Sequence, residues 1–410
     1  MPHLAVNGGP PVRTESFPAW PIYTDDDAKA VGEAVLNGKW GCMSGTRVFA
    51  FAEQFAALQH AKHGVCVTNG TTALVIALQA VGIGPGDEVI VPAYTFIATP
   101  NAVLMSNGIP VFVDIDPATY NLDPDCVERA ITPRTKAIMP VHFGGLPADL
   151  ERLTAIARKH GLALIEDCAQ AHGAQWNGKG VGAIGDIGGF SFQSSKNLNA
   201  GEGGIILTNN ETYGKIADSL ANCGRSDDGA WYGHYRLGGN HRMTELQGAL
   251  LLAQFGRFEE QATCRHENGE YLTAQLGHID GVAPCVTPTY VTRHARHLYI
   301  FRYRSDVFGG APKARFVEAL RAEGIPASPG YSLPLYKQPV YTQKNFGAYA
   351  SDLHKNYDYE GLHLPETERA CNDEAIWLGQ NVLLGSKKDM DDIVKAVGKI
   401  RERRQELSGS

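Results

Sequence analysis

Short apolar runs alternate with amphipathic stretches from about residue 64 to residue 210, which is typical of a mostly parallel sheet covered by helices. The apolar runs are rich in valine and isoleucine and do not strictly alternate with polar residues, as expected for strands buried on both faces. We predict strands at GVCVT, DEVIVP, IPVFVDI, TKAIMPVH, LALIED and GIILTN. The intervening stretches TTALVIALQAV, ATPNAVLMSN and ADLERLTAIARKHG are each long enough to cross the sheet as a helix.

A long helix is predicted from Thr244 to about Glu270, and a second unit follows it. This unit offers HLYIFRYR as a strand, APKARFVEALRAEG as a helix and a final helix from about Lys388. We therefore predict an α/β fold with two domains. Residues 1–265 form a large domain with an N-terminal arm and a mostly parallel mixed sheet, and residues 266–410 form a smaller C-terminal α+β domain.

Composition places the chain among ordinary soluble enzymes and binding proteins. Of 410 residues, 43% are hydrophobic and 20% are charged, and no apolar run approaches the roughly eighteen residues of a membrane span. The net charge of −7 disfavours nucleic acid and anionic membranes as partners. The N-terminus does not resemble a signal peptide, and eight scattered cysteines lack C-x-x-C spacing, so we expect a cytoplasmic protein with neither disulfides nor a metal site.

Two glycine-containing segments are candidate anion sites. GVGAIG, at 180–185, matches G-x-G-x-x-G, but polar residues precede it and an extended segment follows it, so it does not fit a dinucleotide fingerprint. In VTNGTTALVIAL an apolar strand ends at Thr68, and Thr71 and Thr72 begin a helix after a sharp turn at Asn69 and Gly70. Free N–H groups at that helix start suit a phosphate, although a plain threonine N-cap explains the segment equally well.

A carboxylate follows the strand in LALIEDCAQAHG, because Asp167 comes at the carboxyl end, where open α/β sheets bind ligands. It could bind a metal, act as a base or pair with a protonated ring nitrogen. No third ligand at a recognisable spacing accompanies Asp167 and His172, which argues against a metal. The pair His294 and His297 in HARH is likewise only a weak metal signal.

A single lysine, Lys196, lies in the glycine-rich turn of SFQSSKNLNAGEGG. Together with the helix start near Gly70 and the carboxylate of Asp167, it matches the three needs of pyridoxal phosphate. The phosphate of this cofactor requires N–H and hydroxyl donors, its ring nitrogen an anion, and its aldehyde an amine. Tyr94 and Phe96 in PAYTFIATPN supply an aromatic face for the ring.

Six segments, in this order and spacing, resemble the DegT/DnrJ/EryC1/StrS aminotransferases. They are VTNGTTAL, GDEVIVPAYTFIAT, VFVDIDPATYNLDP, IEDCAQAHGA, GDIGGFSFQSSKNLNAGEGG and GGNHRMTELQGALL. The resemblance spans nearly the whole chain. It implies a pyridoxal-phosphate enzyme of fold type I that aminates ring ketones of keto-sugars, cyclitols or related compounds, with glutamate or glutamine as the donor.

The resemblance also implies roles for individual residues. Lys196 would hold the cofactor as a Schiff base, and Asp167 would pair with its ring nitrogen. The remaining implied cofactor contacts are Phe96 stacking on the ring, Gln170 near the ring hydroxyl, and Gly70, Thr71, Thr72 and Ser191 at the phosphate. Asn240 would reach the phosphate bound by a neighbouring subunit, so the family resemblance implies a homodimer with two shared sites.

Two positions in the sequence bear on the reaction type and on which ketone the enzyme aminates. Related sugar dehydratases have histidine at the lysine position, so Lys196 favours the aminotransferases. Many nucleotide-sugar members have histidine at the position of Gln193, and SFQxxK looks more like the scyllo-inosose aminotransferases and 3-amino-5-hydroxybenzoate synthase. The latter usually has histidine where this chain has Gln170, which favours a cyclitol acceptor. His172 and His142, together with Gln193, are candidate substrate contacts.

Two other functions remain open at this point. A ligand sensor that binds the cofactor without turnover is disfavoured by the complete set of lysine, aspartate and phosphate residues. A cofactor-dependent elimination on a keto-sugar is disfavoured by Lys196.

Overall fold

Fourteen strands are present in the computed structural model, which describes residues 3–226, 229–230 and 232–407. They are β1 His63–Val67, β2 Glu88–Pro92, β3 Ile109–Val113, β4 Thr135–Ile138, β5 Ala163–Asp167, β6 Gln175–Trp176, β7 Lys179–Gly180, β8 Ile187–Ser191, β9 Gly204–Thr208, β10 Val282–Pro284, β11 Val291–Arg293, β12 Leu298–Tyr303, β13 Ala327–Ser328 and β14 Ala375–Gly379.

Thirteen α-helices accompany these strands within the described residues. They are α1 Asp25–Leu36, α2 Arg47–Leu58, α3 Gly70–Ala80, α4 Ala98–Met105, α5 Pro124–Ala130, α6 Leu150–His160, α7 Glu211–Ala221, α8 Glu245–Leu276, α9 Lys313–Ala322, α10 Pro339–Thr342, α11 Asp352–Lys355, α12 Pro365–Arg369 and α13 Lys387–Glu402. None of them is both long and apolar enough to cross a membrane.

The central sheet has seven strands in the order β1-β9-β8-β5-β4-β2-β3. Strands β3, β2, β4, β5 and β8 are parallel to one another, whereas β9 is antiparallel to both β8 and β1. All six predicted strands are present, and the predicted α/β class with a mostly parallel mixed sheet is confirmed. The parallel strands end at one edge, so the segments after β2, β5 and β8 lie together there.

Two apolar layers cover the two faces of this sheet. Helices α2, α6 and α8 pack on one face through side chains such as Phe51, Leu153 and Leu251. Helices α3, α4 and α7 pack on the other, with Leu74 and Val103 among the buried residues. This arrangement explains why the strands are apolar on both faces.

A four-stranded antiparallel sheet, β10-β12-β14-β13, forms the C-terminal unit with α9 and α13. Its core includes Leu272 and Leu276 from α8, which therefore serves both units and continues past the boundary we expected at residue 265. Helix α8 begins at a capping box in which the Thr244 hydroxyl accepts from the Gln247 N–H. The division predicted at 265/266 lies within this continuous helix.

The N-terminal arm, which we grouped with the large domain, packs on the C-terminal unit through its first residues. Leu4 is fully buried in the C-terminal core. The buried carboxylate of Glu323 accepts hydrogen bonds from the N–H groups of Ala5 (2.9 Å) and Val12 (3.0 Å) and pairs with Lys399. Since an unpaired buried carboxylate is costly, these contacts fix the arm against this unit.

Candidate active site

Lys196 lies in the turn that follows β8 and is held by backbone hydrogen bonds on either side. Its own N–H donates to the Gln193 carbonyl (2.9 Å), and the Phe192 N–H donates to the Gly203 carbonyl (2.7 Å). The side chain is half-buried at the wall of a cavity of about 1030 Å³. Burial lowers the pKa of Lys196 to about 8, against the opposing attraction of Asp167. A lysine with a lowered pKa is an available nucleophile near neutral pH.

Asp167 ends β5 and lies at the wall of the same cavity. Its Oδ2 accepts a hydrogen bond from the Thr99 hydroxyl (2.7 Å), and its Oδ1 accepts from the Ala169 N–H (3.1 Å). Burial raises the pKa of Asp167, while these hydrogen bonds and Lys196 oppose the rise. A cationic group placed against this carboxylate would further favour its ionised form.

The start of α3 and Ser191 form a close-packed cradle on the cavity wall. The Asn69 side chain caps the helix by accepting from the Thr72 N–H (2.9 Å), which leaves the amides of Gly70 and Thr71 at the open end of the helix. A Cβ on Gly70 would lie 2.6 Å from the Ser191 Cβ. Glycine is therefore required for the helix start to approach Ser191 this closely, and Ser191, Thr71 and Thr72 line the same wall.

Phe96, Gln170 and Gln193 also line the cavity. Phe96 follows β2 and is 58% exposed, so a ligand can cover its ring. The Gln170 side chain is buried, and its Oε1 accepts from the Gly144 N–H (2.7 Å). The Gln193 side chain folds onto its own turn, where Oε1 accepts from the Ser195 N–H (2.8 Å) and Nε2 donates to the Ser194 hydroxyl (2.9 Å). Gln193 therefore shapes the turn that carries Lys196.

His142 and His172 are not at the cavity wall, contrary to our expectation that they contact substrate. The Nδ1 atom of His142 accepts from the Ala148 N–H (3.0 Å), so its Nε2 donates to Glu166 (3.0 Å). His172 is buried among phenylalanines and donates from Nε2 to the Ser191 carbonyl (2.8 Å). Burial lowers the pKa of His172 to about 3, so it is a neutral packing residue.

The GVGAIG segment binds a carboxylate of the protein itself. Glu166 accepts hydrogen bonds from the N–H groups of Gly182 (2.8 Å), Ile184 (2.8 Å) and Gly185 (2.7 Å). Successive side chains of a strand point to opposite faces, so Glu166 faces away from the cavity that Asp167 faces. The Cys168 thiol lies within 4.8 Å of ligand atoms of His142 and Glu166, but hydrogen bonds already occupy both His142 nitrogens.

Asn240 is exposed and does not contribute to the cavity wall of its own chain, whereas its neighbours Gly239 and His241 do. The C-terminal unit contributes wall residues that we did not predict, among them His297, Tyr331 and Trp377. His297 belongs to the HARH segment, in which we found only a weak metal signal. Tyr331 and Trp377 carry no local sequence signal, since they approach the site only through the packing of the two units.

The residues at this cavity fit pyridoxal phosphate. Lys196 supplies the amine, Asp167 a buried carboxylate for the ring nitrogen, and the α3 start with Ser191 a cradle for phosphate. The close approach of Gly70 to Ser191 is the observation that carries this assignment, because a Cβ at residue 70 would close the cradle. The fold and the site together define a pyridoxal-phosphate enzyme.

Comparison with known proteins gives the family. The model of the DegT/DnrJ/EryC1/StrS aminotransferase family matches residues 22–397, and the chain belongs to this family. It is a pyridoxal-phosphate-dependent aminotransferase, as the six motifs implied.

The chain is also similar to three individual proteins. The chain is 41% identical to a putative L-glutamine:3-amino-2,3-dideoxy-scyllo-inosose aminotransferase of Streptoalloteichus tenebrarius, over 97% of each chain. It is 38% identical to an L-glutamine:2-deoxy-scyllo-inosose aminotransferase of the same organism, over 99% of each. The crystal structure of 3-amino-5-hydroxybenzoic acid synthase superposes with a TM-score of 0.85 at 37% identity, over 95% of this chain and 100% of that one.

Proposed function

We propose that this enzyme transfers the amino group of glutamine to the ring ketone of an uncharged keto-cyclitol of the scyllo-inosose class. The names of the two inosose aminotransferases support this donor and this acceptor. The observation within the chain that carries the proposal is the scarcity of positive charge at the cavity.

Lys196 is the only lysine or arginine among the described residues that line the cavity. The pKa of His241 is lowered by burial, and that of His297 is held well below its usual range, also chiefly by burial, so neither adds a positive charge near neutral pH. The diphosphate of a nucleotide-linked sugar is bound in proteins by arginine and lysine. A polyhydroxylated ring without charge needs none of these and suits a wall that includes Tyr331 and Trp377.

The polar residues of the cavity have separate roles in transamination. Bound pyridoxal phosphate supplies an aldehyde that links to amines and a ring that withdraws electrons. Lys196 would provide the amine for that link. When released, it would move the proton from the donor Cα to the cofactor within the first half of the cycle, and it would carry out the reverse transfer, to the carbon of the acceptor ketone, in the second half. Asp167 stabilises a protonated ring nitrogen through its charge. The Gly70 and Thr71 amides, with the Thr71, Thr72 and Ser191 hydroxyls, would bind the phosphate. Phe96 would stack on the ring, and Gln170 would interact with the ring hydroxyl.

We further infer a homodimer with shared sites. Asn240 is exposed and next to cavity-lining residues, a placement that suits contact with the phosphate bound by the partner subunit. The exposed apolar side chains of Trp40, Met43 and Leu237 also suit a contact between subunits.

An aromatic or carboxylate-bearing ring acceptor is the second candidate, because the superposition with 3-amino-5-hydroxybenzoic acid synthase is close. Gln170 argues against it, since the resemblance to this synthase would favour histidine at that position.

An acceptor screen separates these candidates. The holoenzyme is first converted to its pyridoxamine form with glutamine, and the released product is identified by mass. It is then mixed with 2-deoxy-scyllo-inosose, a nucleotide-linked keto-sugar, or a ring ketone that bears a carboxylate. We expect the inosose to react with a kcat/KM at least about a hundredfold higher than either alternative. Preferential amination of the nucleotide-linked sugar would refute the proposal.

A further inference from the structure

Asn197, the residue after Lys196, ties the lysine turn to the loop between β11 and β12. Its Nδ2 donates to the Ala295 carbonyl (2.7 Å), and its Oδ1 lies 3.1 Å from Nδ1 of His297. Because a carbonyl only accepts hydrogen bonds, the contact with Ala295 fixes which end of the Asn197 amide faces His297. Oδ1 also only accepts, so the proton of the His297 ring resides on Nδ1.

His297 is held neutral in this tautomer. Burial, reinforced by the nearby Lys196 and by Arg265, keeps the pKa of His297 well below its usual range. A neutral ring protonated at Nδ1 carries a lone pair on Nε2, which is then purely an acceptor. Nε2 has no hydrogen-bond partner among the described residues, and His297 lies at the cavity wall with Lys196. A residue of the cavity wall therefore has an unused neutral acceptor, and the reactive lysine lines the same wall.

The lone pair on Nε2 of His297 determines which ligand groups can bind to it. A neutral ring nitrogen repels carboxylate and phosphate oxygens, because their lone pairs face its own, and it attracts O–H and N–H donors. A keto-cyclitol has hydroxyl donors at several positions around its ring. We propose that Nε2 of His297 accepts a hydrogen bond from a ring hydroxyl of the keto-cyclitol and so selects which hydroxylated ketones react. This role rests on the proposed function and adds a specificity-determining residue to it.

His294 provides a matched control in the same loop. It is also buried, with a pKa well below its usual range because of burial, and its Nδ1 accepts from the Arg296 N–H (3.0 Å). His294 does not line the cavity. Replacement of either histidine by phenylalanine thus removes a buried imidazole from one loop, but only His297→Phe removes an acceptor from the cavity.

The test compares scyllo-inosose with a series of analogues that each lack one hydroxyl. At one ring position we expect wild type and His294→Phe to prefer the hydroxylated ketone by about tenfold in kcat/KM, the value of one hydrogen bond. His297→Phe should treat that pair alike within about twofold. Discrimination retained at every position by His297→Phe, lost equally in His294→Phe, or missing in wild type would overturn the inference. If wild type aminates no keto-cyclitol, the proposed function itself fails.

A second measurement tests the tautomer without any turnover. Nitrogen-15 NMR of histidine-labelled protein, with the His297 signals identified by their loss in His297→Phe, should show a protonated Nδ1 and a bare Nε2. Asn197→Ala should shift the proton towards Nε2. A proton on Nε2 in wild type would overturn the inference, whichever ketone the enzyme accepts.

Discussion

The start of α3 and the end of β8 meet so closely that a Cβ on Gly70 would lie 2.6 Å from the Cβ of Ser191. Contacts this short do not occur between real side chains, so only glycine permits this approach. The result is a cradle of backbone amides and a hydroxyl at the wall of the cavity that also contains Lys196 and Asp167.

Gly70→Ala should weaken the binding of pyridoxal phosphate by at least about tenfold, because the added methyl group separates the two halves of the phosphate cradle. Titration of the apoprotein with cofactor, followed by absorbance, measures the dissociation constant. Gly398→Ala is the control, since a Cβ on Gly398 meets nothing within 4 Å. Equal affinities in the two variants would contradict the assignment of the cradle.

The rate of cofactor attachment should depend on pH with a midpoint of about 8. Burial disfavours the ammonium form of Lys196 and lowers its pKa to that value, and only the neutral amine attacks an aldehyde. Stopped-flow absorbance should therefore show a rate that rises about tenfold per pH unit below the midpoint and levels off above it. Asp167→Asn should move the midpoint lower still, because the carboxylate opposes the effect of burial. A midpoint near that of free lysine, about 10.4, would contradict this description of the site.

Complementation between inactive variants tests the shared sites. Lys196→Ala and Asn240→Ala are each expected to lose most activity, the first through its own chain and the second through the phosphate bound by its partner. After subunit exchange, half of the dimers carry one intact site, so activity should recover to about a quarter of wild type. If Asn240 acts within its own chain, mixing restores nothing.

Glu166→Gln should destabilise the protein without entering the active site. The buried carboxylate accepts from three amides of the GVGAIG segment and from His142, and a glutamine amide would place N–H groups against some of these donors. Urea denaturation should report a loss of about 2–4 kcal/mol in the free energy of unfolding. The exposed Glu151→Gln should change it by less than about 0.5 kcal/mol. A large increase in the KM for glutamine, with stability unchanged, would instead place Glu166 in catalysis.

The part of the site built from strand ends was predictable from sequence. Asp167, Ser191 and Lys196 follow apolar or extended segments whose carboxyl ends meet at one sheet edge, and the α3 start follows another strand. Sequence proximity did not predict side-chain direction. His172 is only five residues from Asp167, yet it packs behind β8 against Phe190 and Phe192.

Contacts between distant parts of the chain account for the features of the structure that we did not predict. His297, Tyr331 and Trp377 reach the cavity only because the C-terminal unit packs over the sheet edge, and no local pattern encodes that packing. Local sequence does not encode the packing of the N-terminal arm either, because the partner of Ala5 and Val12 is Glu323, more than 300 residues away.

The most direct test of the account is to locate the covalent cofactor. Borohydride reduction of the protein loaded with pyridoxal phosphate, followed by peptide mass spectrometry, should find one pyridoxyl group, on Lys196 within SFQSSKNLNAGEGG. Lys196→Ala should lose the label together with all transamination. A pyridoxyl group on another lysine, or an active Lys196→Ala enzyme, would contradict the account.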